Sequence, residues 1–267
     1  MRYEKGTIAV SRERDWPILQ TVFRSGYITS EQIFGLTQSP DVSRAAHCKR
    51  LTRLVRNGLL SKRIDVDGVR KVVYSSTEAC IQMLLIGGEY YSGRTGFENN
   101  RQACCHALAV NELHLALRRS GRLARWIPVT EICSRNDLTR ERYVKDYDGI
   151  AVMKVEDREV PLAIEFERVL KSRQRYEEIR SALEFERYVR ILLYVTPHLH
   201  VADYLHEKFK STNGMNVCVC LLSEFQEDPW NARVRIATQN LELALRYALE
   251  FLPGPRENDP LSAMAAD

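Results

Sequence analysis

Val42-Ser43-Arg44-Ala45-Ala46-His47-Cys48-Lys49-Arg50-Leu51-Thr52-Arg53-Leu54-Val55-Arg56-Asn57-Gly58 reads as one amphipathic helix closed by a glycine. Its spacing predicts Ala45, Ala46, Leu51, Leu54 and Val55 inward, and Arg44, His47, Lys49, Arg50, Arg53 and Arg56 outward. Ser39-Pro40-Asp41 ahead of it is a turn. Behind it, Leu59–Ile64 and Val69–Tyr74 are two β-rich runs around Asp65-Val66-Asp67-Gly68, the pattern of a hairpin. Toward the N-terminus, Thr29-Ser30-Glu31-Gln32 starts a short helix over Ser30–Leu36, because a hydroxyl can hold free amides at a helix start. Asp15–Arg24 is a further helix, with Trp16, Ile18, Leu19, Val22 and Phe23 on its apolar side and a stop at Gly26. Three helices followed by a hairpin predict a winged helix-turn-helix, the third helix entering a major groove.

Charge agrees with that placement. Residues 1–76 hold 14 Lys or Arg against 7 Asp or Glu, a net of +7, whereas the remainder holds 25 against 28, a net of −3. A basic front end on a slightly acidic remainder suits contact with a polyanion, here double-stranded DNA. Arg44, His47 and Arg50 are the candidates for base edges, Arg63, Arg70 and Lys71 of the hairpin are the candidates for phosphates, and Lys49 and Arg53 on the same helix are further DNA-binding candidates. The competing reading is a solvated basic face on a module that contacts only protein.

The remainder alternates helix and strand. A helix is expected over His106–Ser120, strands over Arg125–Cys133, Tyr143–Val155 and Glu159–Arg168, and a helix over Ser172–Glu186. A buried strand over Val189–Thr196, a helix over His200–Ser211, a strand over Asn216–Leu222 and a final helix over Asn240–Leu252 complete it. The fold class expected is therefore α+β, a winged helix-turn-helix followed by a mixed-sheet domain with helices on its faces. The glycine-rich run 87–102 separates a domain over 1–86 from one over 103–252, and residues 253–267 form a loosely packed tail.

Glu131, Asp148, Glu165 and Glu167 are the sharpest chemical signal. Glu165 and Glu167 fall on one side of one strand, and Asp148 on the preceding strand can lie beside them. Clustered carboxylates can hold Mg²⁺, which polarises a phosphodiester and activates water. Lys171 and Arg175 at the next helix start can meet a phosphate. The alternative is a solvated strand face paired with Arg168, Lys171 or Arg173.

His106-Ala107-Leu108-Ala109-Val110-Asn111-Glu112-Leu113 resembles a signature of the replication-relaxation family of plasmids and integrated mobile elements. Arg53–Leu60, Ser76–Cys80, Trp126 with Glu131, Asp148-Gly149, and Ile164–Glu167 with Arg175-Tyr176 resemble further segments of that family, over about residues 15–195. The resemblance implies a winged helix joined to a domain similar to PD-(D/E)XK nucleases. It implies Asp148 and Glu165 in the acidic positions, Glu131 as the upstream glutamate, and Glu167 where the nuclease motif has lysine. That departure removes the group that orients water and neutralises phosphate, unless Lys171 replaces it. It favours a non-catalytic nuclease-like domain, with catalysis by Asp148, Glu165, Glu167 and Lys171 over Mg²⁺ as the alternative. The family's setting implies a DNA-binding protein acting in replication, transfer or transcription control, with a homodimer and replication, transfer or regulatory proteins as expected partners.

Weaker signals close the survey. His198 and His200 with Cys218 and Cys220 have zinc-like spacing, but the cysteines alternate with Val217, Val219 and Leu221 in an apolar run, which suits core packing. His106, His114 and Cys104-Cys105 read as packing. Seven cysteines without a C-x-x-C pair read as reduced thiols in a cytoplasm, and the charged start Met1–Gly6 lacks the pattern of an export signal. The sequence has no G-x-x-x-x-G-K-[ST] loop, no G-x-G-x-x-G and no run of about 18 apolar residues, so ATP or dinucleotide binding and membrane insertion are not expected.

Overall fold

The computed structural model describes residues 9–37, 42–66, 69–89, 101–140 and 142–252, without the side chains of 65, 66, 69 and 70. The expected turn at 39–41, most of the 87–102 run and the 253–267 tail lie outside these residues. The chain divides into two compact units, residues 1–115 and 116–267.

The first unit opens with α1 (Trp16–Ser25), β1 (Ile28–Thr29), α2 (Ser30–Thr37) and α3 (Arg44–Arg56). β2 (Leu60–Val66), β3 (Val69–Ser76), α4 (Glu78–Ile86) and most of α5 (Arg101–Arg119) follow. Pro17 starts α1, and Gly26 ends it at a φ of 72° that glycine adopts without strain. Ser43 Oγ accepts the Ala46 amide at the start of α3, and Arg53 and Arg56 sit in its last turn, where the helix dipole favours cations. β2 and β3 form an antiparallel hairpin, with β1 added on the far side of β3. Ile18, Leu19, Val22 and Phe23 of α1 join Ile33, Leu51, Leu54 and Leu60 in one core.

α3 is turned differently from its predicted setting. Ala45 and Ala46, expected inward, are exposed, and His47, expected outward, is buried. His47, Leu51 and Leu54 form its inner stripe at helical spacing, so packing rather than the two small alanines sets the rotation.

The first unit extends through Leu115, within α5. The reason is local. Asn111 Nδ2 donates to the Tyr27 carbonyl (2.8 Å), and Gln32 Nε2 donates to the Leu108 carbonyl (2.9 Å) and to Glu112 Oε1 (2.7 Å). Leu115 packs into the core of the first unit.

The second unit is a seven-stranded mixed sheet in the order β10-β9-β8-β7-β6-β5-β4. β4 (Leu123–Pro128), β5 (Gly149–Val155) and β6 (Arg158–Phe166) form an antiparallel meander; β7 (Ile191–Thr196) and β8 (Asn216–Leu221) add parallel to β6. β9 (Arg233–Ile236) and β10 (Leu241–Ala244) return antiparallel. α7 (Arg173–Leu183) and α8 (Leu199–Lys208) follow β6 and β7. Their Tyr176, Ile179, Leu183, Val201 and Leu205 bury one face of the sheet with Ile150, Ala163, Leu192, Tyr194 and Val217.

Three expectations for this unit need correction. The strand expected to reach Cys133 ends at Pro128, and α6 (Val129–Leu138) takes its place. The strand expected from Tyr143 begins only at Gly149. The helix expected over Asn240–Leu252 is split: Leu241–Ala244 pairs with Arg233–Ile236 as β10, and α10 covers only Leu245–Phe251, after the short α9 (Leu222–Glu227). Among the described residues no helix is long and apolar enough to cross a membrane.

Residues 142–148 are irregular, and one buried side chain organises them. Glu186 Oε2 accepts the Val144 amide (3.1 Å) and the Tyr147 hydroxyl (2.8 Å), while Oε1 accepts the Arg187 and Tyr188 amides (2.9 Å each). Gly149 begins β5 beneath the indole of Trp126, where a Cβ would clash with the ring. Glu186→Ala strips four donors of their acceptor. Urea unfolding of the full chain is expected to show a loss of about 3 kcal/mol, against less than about 0.5 kcal/mol for Glu184→Ala on the exposed neighbouring position.

Candidate functional site

Two constellations contain the residues singled out by sequence. The first is the outer surface of α3. Lys49, Thr52, Arg53, Arg56 and Asn57, with Cys48, line an open groove along it. The helix carries five basic residues and no acidic one. Behind this surface lies Asp15, whose side chain is 0% exposed. It accepts Arg50 Nη1 at 3.0 Å, a short bond from Arg53 Nη2, and the Ser11 amide at 2.8 Å. Burial alone raises the Asp15 pKa; the Ser11 amide and the Arg53 and Arg50 guanidiniums outweigh it and hold the carboxyl below its ordinary value. Arg53 remains 45% exposed, so it reaches both Asp15 and the groove. Arg50 is only 20% exposed and faces α1 rather than solvent.

The remaining candidates of this unit are distributed as follows. Arg44 is exposed and donates to Glu31 at 2.9 Å. Lys71 is exposed, Arg63 is half-buried, and Arg70 lies on β3 with its side chain outside the described residues. His47 is 3% exposed and packs edge-on against Phe34 at 5.3 Å. It is therefore removed from the set of base-contacting candidates, because a ring seated in the core cannot present its edge to a groove.

The second constellation sits where β5 begins and β6 ends. Asp148 Oδ2 accepts the Phe166 amide at 2.8 Å, which fixes it beside the end of β6. Glu165 lies on β6 in register with Tyr194 of β7, and Glu167 follows one residue past the end of that strand. Neither glutamate is solvated: they are 6% and 5% exposed. Glu165 pairs with Lys145 at 2.5 Å, and Glu167 pairs with Lys171. Burial pushes the Glu165 pKa up against the pull of Lys145. The Tyr194 hydroxyl is fully buried without a hydrogen-bond partner, and burial beside Glu165 and Glu167 raises its pKa far above the ordinary phenol value.

This donor set does not fit Mg²⁺. Glu165 and Glu167 are each taken by an ammonium group, and Asp148 holds a backbone amide. Glu131, on α6 rather than on a strand, accepts Arg125 at 2.9 Å and Arg135 at 2.8 Å. Among the described residues no three His, Cys, Asp or Glu side chains converge as a cation site. The zinc spacing likewise fails to assemble: Cys218 and Cys220 are buried with thiols pushed up to about 12, while His198 and His200 are exposed and stacked on one another.

Sequence reasoning missed Asp15, Lys145, Glu186 and the hydroxyl of Tyr194. Asp15 alone had a usable signal, since two arginines one turn apart on a helix that also packs inward call for an anion behind them.

No family model matches the chain, and no curated protein matches it. Among solved structures, the restriction endonuclease FokI bound to DNA shares 13% identity at a TM-score of 0.27, covering 80% of this chain and 43% of its own. The chain thus spans less than half the length of that protein, and a likeness this slight carries no argument about either unit.

Because the folded Asp15 pKa is lowered, its stabilisation is complete above the unfolded value, near 3.9, and is lost as pH falls through the folded one. Acid unfolding of the full chain is expected to steepen below about pH 4, and Asp15→Asn is expected to flatten that limb while costing about 1–3 kcal/mol at pH 7. Circular dichroism across pH 2–7 measures both.

Proposed function

We propose that this chain is a sequence-directed double-stranded DNA-binding protein whose first unit is a winged helix-turn-helix. α3 lies in the major groove, and Arg63, Arg70 and Lys71 of the β2–β3 hairpin approach the backbone. The observation that carries this reading is the α3 groove: three cations, Lys49, Arg53 and Arg56, on a helix with no carboxylate of its own. A face of this kind gains affinity by displacing counterions from phosphates, whatever the bases it reads. Asp15 supports it further, because a clamped guanidinium loses less freedom on meeting a phosphate than a free one.

The second unit is proposed as a nuclease-like scaffold that does not cleave. Its Asp148, Glu165 and Glu167 positions follow the PD-(D/E)XK pattern, although α6 interrupts the run of strands between β4 and β5, and two of its carboxylates are neutralised internally by Lys145 and Lys171. The setting proposed is a plasmid or mobile element of the replication-relaxation type, with a role in replication, transfer or transcription control. The segments His106–Leu113 and Asp148-Gly149 are what suggest it.

Fluorescence anisotropy on a duplex library from the chain's own element tests the first part. Wild type is expected to lose about tenfold or more in affinity between about 50 and 200 mM salt. Lys49→Ala and Arg56→Ala are each expected to reduce the slope of log K against log salt by about 0.9. Absence of duplex binding at low salt defeats the reading. Supercoiled plasmid incubated with Mg²⁺ or Mn²⁺ is expected to stay intact; nicking that disappears in Asp148→Ala makes the protein an endonuclease instead.

A further inference from the structure

We propose that the free edge of β10 pairs with β10 of a second copy of this chain, joining the two sheets about a two-fold axis at Leu243. β10 ends the order β10-β9-β8-β7-β6-β5-β4, and among the described residues no strand lies on its far side. α10 leaves it by turning back over β9 toward β5, and Arg158 of β6 takes the Leu249 and Glu250 carbonyls at that helix's end. The bonds next to β10 show which of its backbone groups are free. Leu245 N donates to the Ala232 carbonyl (2.9 Å), so that facing pair is a bonded one. Bonded and unbonded pairs alternate along an antiparallel ladder. Leu243 with Val234 and Leu241 with Ile236 are therefore bonded, whereas Glu242 with Arg235 and Ala244 with Arg233 are not. The other side of β9 agrees: Ala237 N donates to the Val217 carbonyl (2.8 Å), which turns the Arg235 backbone toward β8. Glu242 and Ala244 thus aim amide and carbonyl out of the sheet.

Exposed edges invite pairing, and proteins that must avoid it blunt them with bulges, charges or proline. The opposite edge of this sheet is blunted. β4 shifts register between Leu123 and Arg125, exposes Arg125, and ends at Pro128, which has no amide to give. β10 pairs with β9 without a shift, carries no Lys, Arg or Pro, and leaves Leu241 50% exposed. One edge closed and the other left open points to a partner strand at the open one.

Symmetry and charge select a second copy as that partner. An axis at Leu243 sets Glu242 opposite the partner's Ala244, and Ala244 opposite the partner's Glu242. Every outward amide and carbonyl then finds its complement on the same segment of the other chain. No two carboxylates face each other. Leu243 meets the partner's Leu243 as an unbonded pair, the closer kind, and Leu241 lies diagonal to it. Arg233 stands beside Ala244 in the same row, is exposed, and holds its own Glu242 only at 3.7 Å. Across the small Ala244 it faces the partner's Glu242, so each copy sets a cation toward the other's carboxylate. The inference does not rest on the DNA-binding reading.

Sedimentation equilibrium of the full chain, without DNA, tests this. Wild type is expected to move from the 30.9 kDa monomer toward twice that mass as concentration rises. Ala244→Pro is the decisive variant. Ala244 already has a φ of −69°, which proline keeps, and its amide serves no bond to β9. The variant is expected to melt as wild type does and to dimerise at least about tenfold more weakly, because it loses a donor on the free edge. Leu243→Cys is expected to form an interchain disulfide under mild oxidation, since facing residues of an unbonded pair lie about 4.5 Å apart at Cα. Leu241→Cys, off the axis, is expected to cross-link no more than wild type, whose exposed Cys48 sets the background. A wild type that stays monomeric, an Ala244→Pro chain that dimerises as well as wild type, or cross-linking that does not favour Leu243→Cys overturns the proposal. If Ala244→Pro does not fold, the cross-linking comparison decides. Hydrogen exchange identifies a different occupant: Glu242 and Ala244 amides protected in a monomer mean that the chain covers its own edge, which also overturns the second copy.

Discussion

A carboxylate buried to 0% exposure between two arginines fixes how the first unit is built. Asp15 belongs to the start of α1; Arg50 and Arg53 belong to α3, 35 and 38 residues away. An ionised carboxylate out of water costs several kcal/mol unless donors surround it, so this group dictates where those two side chains go. With Arg50 and Arg53 drawn toward α1, and Leu51 and Leu54 in the core, the rotation of α3 is set. Lys49, Thr52 and Arg56 must then face outward and His47 inward. The basic groove and the buried imidazole are two sides of the same rotation.

The second unit obeys the same constraint with more groups. Four carboxylates lie at or near the ends of β5, β6 and α7, and each has a defined counterpart: Lys145 for Glu165, Lys171 for Glu167, the Phe166 amide for Asp148, and four donors for Glu186. These pairings offset desolvation rather than add net stability. Their chemical consequence is larger. Carboxylates already matched by ammonium groups present little residual field to a divalent cation, and that cation must displace the half-buried Lys145 and the exposed Lys171 to enter. The carboxylates at the ends of β5 and β6 thus stand together while their charge is matched internally.

What was legible in the sequence was what local periodicity controls. α1, α2, α3, the hairpin, β6, β7 and β8 were each expected within a few residues, since each has a clear 3.6- or 2-residue pattern and a capping or turn residue. The proximity of Asp148, Glu165 and Glu167 followed from strand alternation and antiparallel pairing. The failures share a cause, which is tertiary pairing overriding local pattern. Leu241, Leu245 and Leu249 have helical spacing, yet Leu241–Ala244 is captured as a strand by β9. Val129 and Ile132 extend an apolar run, yet Pro128 begins a helix there. Lys145 and Glu186 come from irregular segments, and partners 20 and more residues apart leave no spacing to detect. Ala45 and Ala46 misled for another reason: alanine is neutral toward burial, so it could not outvote His47 beside Leu51 and Leu54.

The segment that carries the family resemblance has its own physical account. Asn111 is 5% exposed and donates to the Tyr27 carbonyl, and Glu112 accepts Gln32, so this run anchors α5 onto β1 and α2. Leu113 and Leu115 are buried along the same helix. Leu108, Asn111 and Glu112 make these contacts within the first unit. Those three residues of the motif thus have a packing role in this chain. The case for DNA binding does not borrow from it. The orientation of α3 comes from the packing of His47, Leu51 and Leu54 together with the pairing of Arg50 and Arg53 to Asp15.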